Sequence, residues 1–186
     1  MGARCGTVPA LAAAILAAGP ADGSAAQGRE VPLEYAVKAA YLPKFANYVE
    51  WPASAFRAPD SAITLCIVGP DPFGDDAEQA IQSQQVGERH IVLRHLSSVA
   101  RDSGCQILFV GGEDPKKVGL ALDAVRGEGV LTVTEAQSAG KTASVIRFVI
   151  EDKHVRFTID AEAAAQNGLS LSSKLLRLAL AASPQQ

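Results

Sequence analysis

The chain has 186 residues, a length that suits one well-buried core and is short for two. Hydrophobic residues make up 48% and charged residues 20%, so the body of the chain is expected to fold. The net charge is −3 and no Lys/Arg cluster interleaves with aromatics, which excludes the basic surface that nucleic-acid binding requires.

The first segment reads as an export signal. Arg4 is the only charge before an apolar stretch from Val8 to Ala18, and small residues follow in Asp22-Gly23-Ser24-Ala25-Ala26. A cut is expected after Ala26, leaving residues 27–186 as a single domain. The apolar stretch is too short to span a bilayer as a helix, and no later stretch is long enough. Cys5 precedes the apolar stretch, which excludes a lipoprotein anchor. Removal of the leader leaves Cys66 and Cys105, an even pair in an oxidising compartment. They are a disulfide or two buried thiols; spacing alone does not decide between them.

Glu30 to Trp51 reads as an amphipathic helix. Val37, Tyr41, Phe45 and Val49 form its stripe, Pro43 is expected to kink or split it, and Trp51-Pro52 ends it. Ile63 to Gly69 is a buried strand ended by Gly69-Pro70. Phe73 to Ile81 is a helix with Asp75, Asp76 and Glu78 near its start, where the dipole favours acids. His90 to Leu93 and Gln106 to Val110 are further strands. Pro115 opens a helix through Val125, and Val130 to Val133 is a fourth strand. Apolar strands alternating with helices predict an α/β fold, a three-layer αβα sandwich around a mainly parallel sheet. Val145 to Ile150 and His154 to Ile159, separated by Glu151-Asp152-Lys153, predict a C-terminal antiparallel hairpin. Asp160 is expected to cap a short Ala-rich helix ending near Asn167-Gly168. A last helix is expected from Ser172 to Ala182, with Leu171, Leu175 and Leu178 on its apolar face, and a frayed end from Pro184 to Gln186.

Motifs for chemistry are sparse. Gly69 to Gly74 has the glycine spacing of a phosphate loop, but Asp75 and Asp76 stand where Lys and Ser/Thr belong and would repel a phosphate. Gly140-Lys141-Thr142 has the other half of that motif, before a strand instead of a helix. Asp71 and Asp114 sit at strand ends, as in a phosphoacceptor domain, but two scattered acids are ordinary in loops. His90, His95 and His154 have no metal-ligand spacing, and no nucleophile elbow occurs. No catalytic residue, metal ligand or cofactor site is therefore assigned. Parallel sheets bind ligands beyond the carboxyl ends of their strands, so the candidate ligand rim is Gly69, Pro70, Asp71 and Phe73, with Gly111 and Gly112 opposite.

Four stretches carry a resemblance. Tyr35-Ala-Val-Lys-Ala-Ala-Tyr-Leu through Val49-Glu-Trp-Pro52 resembles the opening helix of the YfiR family, from whose pattern Pro43 departs. Leu65-Cys-Ile-Val-Gly-Pro-Asp-Pro-Phe-Gly74 is similar to its first strand and turn, and Gly104-Cys-Gln-Ile-Leu-Phe-Val110 to its Cys-led central strand. Val145-Ile-Arg-Phe-Val through Val155-Arg-Phe-Thr-Ile-Asp160, then Ala164 to Gly168 and Ser172-Ser-Lys-Leu-Leu-Arg-Leu-Ala179, resemble its C-terminal hairpin and helices. The resemblance implies a periplasmic regulatory binding protein, not an enzyme, that often forms a homodimer. It implies an inner-membrane partner, a YfiN-like diguanylate cyclase or a sensor kinase, and hence a role in cyclic di-GMP signalling and biofilm. It also implies cysteine oxidation at Cys66 and Cys105 as a stabilising or controlling device. Tyr35, Leu42 and Tyr48 are the residues expected to reach outside the core toward a partner or a second copy. The alternative is a small-ligand binding module without a cyclase partner.

Overall fold

The computed structural model describes residues 1–2, 32–82, 84–138 and 143–180. The expected leader with its cut after Ala26, the Gly140-Lys141-Thr142 motif and the Pro184–Gln186 tail lie outside them.

Helix α1 runs from Leu33 to Phe45. Pro32 is its N-cap at ψ 141°, an extended setting, so the helix starts after it. It ends well before Trp51, correcting the sequence expectation. A 3-10 turn, Ala46–Tyr48, tightens the chain, and Val49–Glu50 then form a short strand, β1. Pro43 falls in the last turn of α1; it has no N–H to bond the Ala39 carbonyl, but only two helical residues follow it, so the helix stops near it and is not split. The buried face of α1 is also turned from the expected stripe. Lys38, Ala39, Leu42 and Phe45 are buried, while Val37 is exposed.

The remaining elements are β2 (Ile63–Val68), α2 (Asp75–Gln82), β3 (Gln85–Val86), β4 (Arg89–Leu96), β5 (Ile107–Val110) and α3 (Pro115–Ala124). There follow β6 (Leu131–Glu135), β7 (Ile146–Glu151), β8 (His154–Ile159), α4 (Ala161–Gln166), β9 (Ser170–Leu171) and α5 (Ser173–Leu178). The main sheet has seven strands in the order β3-β4-β2-β5-β6-β7-β8. The five strands β4, β2, β5, β6 and β7 are mutually parallel, and β3 and β8 close the two edges antiparallel. The fold is thus mixed α/β with a mainly parallel sheet, and β7 and β8 form a hairpin in register from Ile146↔Ile159 to Glu151↔His154.

Parallel strands buried on both faces read as unbroken apolar runs, and β2 and β5 show why. Leu65, Ile67, Ile107 and Phe109 point into one cluster, completed by α1, α2 and Leu175. Cys66, Val68, Leu108 and Val110 point into a second, completed by Val118 and Leu122 of α3. Among the described residues α3 is the one helix serving the second cluster. The connection from β4 to β5, residues 97–106, is helix-free. The expected outer layers are therefore unequal, and part of the second face lacks a helical cover.

Asp160 caps α4 as expected, its Oδ1 accepting from the Ala163 N–H at 2.8 Å. The last helix is shorter than Ser172–Ala182. Ser170–Leu171 pair instead with Val49–Glu50, and the chain is extended again at Ala179. Leu175 is buried, but Leu178 is 58% exposed, so the expected apolar face is only partly used.

Candidate functional site

The chain enters the parallel sheet at β2, crosses to β4 on one side, and returns to β5 on the other. The crossovers diverge at the carboxyl ends of β2 and β5, the position where open parallel sheets form a crevice. A cleft of about 590 Å³ lies there. Its walls are Val68, Val99, Val110, Val118 and Ala121, with Ser97 and Ser98 from the loop after β4. Glu113, Asp114 and Lys117 stand exposed at its lip.

Of the expected rim, Gly69, Pro70, Gly111 and Gly112 line this cleft. The two turns press together. The Gly111 N–H donates to the Val68 carbonyl at 2.9 Å. A Cβ on Gly111 would lie 2.1 Å from the Pro70 carbonyl oxygen, and one on Gly69, where φ is +85°, would lie 2.5 Å from the Gly111 oxygen. Both obstacles are backbone. Gly111→Ala is therefore expected to destabilise the fold by about 2–3 kcal/mol, because a main-chain turn must shift; urea denaturation against wild type measures it. Ser138, itself buried, donates its hydroxyl to the Gly112 carbonyl and holds that turn from the far side.

Asp71 and Phe73 do not belong to the rim. Asp71 Oδ1 accepts from the Phe73 N–H at 2.8 Å, and its Oδ2 meets His95 Nε2 at 2.7 Å, tying the ends of β2 and β4 together. Phe73 has no exposed surface. Its ring packs edge-on against Phe109 with centroids 4.6 Å apart, and Tyr35 lies against it at 6.2 Å. An apolar ring next to a turn has more to gain from that aromatic pocket than from the cleft.

The contact residues expected on α1 separate as well. Leu42 is 0% exposed and belongs to the core, so it cannot present itself to a partner. Tyr35 and Tyr48 are both half-buried, at opposite ends of the first helical segment. Tyr48 has the Lys174 ammonium over its ring at 5.5 Å.

One cluster was missed by the sequence reading. Lys38 is 1% exposed and donates to both Glu34 and Glu135, the latter at the carboxyl end of β6. Its ammonium also sits 4.7 Å from the Tyr35 ring centroid. Burial pushes the Lys38 pKa down, but the bonds to Glu135 and Glu34 outweigh it and hold the pKa above the ordinary lysine value. Burial, and then the Glu135 charge, push the Tyr35 phenol upward. Glu34 and Lys38 are four residues apart and read as an ordinary surface pair, so nothing local signals the burial.

Cys66 and Cys105 form a disulfide, with Cα atoms 5.8 Å apart, inside the second cluster. It resolves the two alternatives left by the sequence. Among the described residues no group of three His, Cys, Asp or Glu side chains is placed to hold a metal ion. No helix among them is long and apolar enough to cross a membrane. A family model described as YfiR/HmsC-like matches residues 35–180, from the first turns of α1 to the bridge that Leu180 makes with β8.

Proposed function

Because the chain belongs to the YfiR/HmsC-like family, we propose that it is a periplasmic regulatory protein acting by contact and not by turnover. Its partner in this reading is a membrane-bound diguanylate cyclase, or a sensor kinase, which it restrains. The observation that carries the reading is the match across nearly all described residues, so that the elements setting the surface are shared and not only a core motif. The leader cut after Ala26 places the mature chain on the periplasmic side.

Physical chemistry suggests where the contact lies. With Leu42 in the core, the outward apolar residues of α1 are Leu33, 80% exposed, and Val37, 36% exposed, with the half-buried Tyr41 one turn further on. Beside Lys38 a groove of about 410 Å³ leads to Ile150, itself 47% exposed at the hairpin end. Exposed apolar side chains gathered along one edge favour a partner over water. Tyr35, on the other side of α1 against Phe73 and Lys38, reaches a partner only with its half-exposed part, and Tyr48 is half-exposed just before β1. The same edge is the surface proposed for a second copy of the chain.

The test uses the full chain with its leader. A tagged wild-type protein should co-purify with a membrane-bound diguanylate cyclase, and deletion of its gene should raise cyclic di-GMP. Leu33→Glu/Val37→Glu should raise it as well, with thermal stability kept within about 0.5 kcal/mol because both sites are exposed. Unchanged cyclic di-GMP on deletion, or an unprocessed protein in the cytosol, would sink the reading.

A further inference from the structure

We propose that the cleft at the carboxyl ends of β2 and β5 binds a small amphipathic molecule with an apolar body and no net negative charge. This cleft is separate from the proposed protein-contact edge. The contact edge is on the face of the sheet that carries α1, whereas the cleft opens on the face that carries α3.

The size is right for a small ligand. Clefts that enclose drug-sized molecules run to about 300–1,000 Å³ and are mostly apolar with a few convergent polar groups. This one is about 590 Å³, with valine and alanine walls, two serine hydroxyls and the backbone of Gly111-Gly112. It exists because the β4–β5 connection has no helix to fill the space over β2. Without such a roof, the apolar side chains of Val68, Val99 and Val110 border an open hollow where a helix would otherwise cover them.

The site is also preformed. Gly69 and Gly111 fix one wall by a contact that leaves no room for a Cβ. Ser138 holds Gly112, and the Asp71–His95 pair holds the end of β4 just before Ser97. A ligand therefore meets a rim whose ordering cost has already been met by folding.

The lip sets the charge preference. Glu113 and Asp114 offer two carboxylates against the single ammonium of Lys117. The Asp114 side chain already caps α3 by accepting from the Lys116 N–H at 3.0 Å, so the helix start is not free to hold an anion. An organic anion would meet net repulsion, and a neutral or cationic head group would not.

The uncharged fluorescent probe N-phenyl-1-naphthylamine tests the site on the mature chain. Saturable one-to-one binding is expected. Ala121→Trp, which puts an indole into the cleft from half-buried α3, should weaken it at least about tenfold. Leu120 is 72% exposed, so Leu120→Glu leaves folding intact and should weaken binding as well, deciding the matter even if the tryptophan variant misfolds. 1-Naphthylmethylammonium should displace the probe at about threefold lower concentration than 1-naphthoate, the scale of an exposed charge contact. No saturable binding to wild type, or wild-type affinity in both variants, overturns the site. Displacement by naphthoate at equal or lower concentration overturns the charge assignment.

Discussion

Lys38→Met is expected to cost about 3–5 kcal/mol of folding stability, the range for removing one partner of a buried ion pair. Lys38 is 1% exposed and Glu135 is 8% exposed, so the variant leaves a carboxylate without a counter-charge beside Phe148 and α1. Glu34 is better placed, since its side chain is 38% exposed and water can replace the lost ammonium. The companion variant Lys38→Met/Glu135→Leu removes both buried charges and should recover most of the loss. Urea denaturation at pH 7, with an unchanged slope, separates the two; a loss under about 1 kcal/mol for Lys38→Met alone would contradict the mechanism. The same pair predicts an alkaline limit. The folded pKa of Lys38 lies above the ordinary 10.5, so its contribution is complete below that value and fades as pH climbs through the raised pKa. Tyr35 acts in the same direction, because its folded pKa lies above the ordinary 10.0 and the neutral phenol is the form the fold favours. Wild type should hold its stability up to about pH 10 and lose it beyond, and Lys38→Met should lose the lysine part of that slope.

That cluster marks the limit of what the sequence discloses. The parallel strands were legible because burial on both faces imposes a residue-by-residue apolar run, as in Leu65 to Val68 and Ile107 to Val110. The hairpin was legible from Glu151-Asp152-Lys153, and the turn does place Asp152 and Lys153 at positive φ. The two-residue strands β1 and β9 were not. Each is too short for a period, and their pairing joins residues from opposite ends of the domain. The phase of α1 was misread for a related reason. Val37 and Tyr41 look apolar in a local stripe, yet Lys38 is the residue drawn inward, by a carboxylate 97 positions away. Sequence periodicity records side-chain polarity and not the partner that can neutralise it.

The site divides along the same line. Glycines after β2 and β5 announced turns, and those turns do border the cleft. Local sequence cannot say which side of a turn each following residue takes. Phe73 went under α1 because Phe109 and Tyr35 offered a ring-lined pocket, and Asp71 folded back on its own backbone and on His95. The hollow itself depends on an absence, the missing helix between β4 and β5, whose consequence is visible only once both strands flank β2.

Loss of the Cys66–Cys105 bond is expected to lower stability by about 4 kcal/mol, from the closure entropy of a loop of this length. The bonded residues are 39 apart, so without the bond the unfolded chain is released from a long closed loop while the folded chain keeps its sheet register. For a domain of this size the matching fall in Tm is about 8–16 °C. Cys66→Ala/Cys105→Ala should show it in calorimetry, and dithiothreitol should reproduce it in wild type without moving the double variant. A reductant that leaves the wild-type Tm in place would remove the disulfide from the stability argument. A second consequence separates this bond from an inert staple. Cys105 lies near the end of the helix-free connection, and Val99 on that connection packs against the cluster that holds the disulfide while lining the cleft. Opening the bond frees one wall of the cleft while the Gly69–Gly111 wall stays pinned. Reduction should therefore weaken probe binding at temperatures where the chain is still folded, tying occupancy of the cleft to the oxidation state of the compartment.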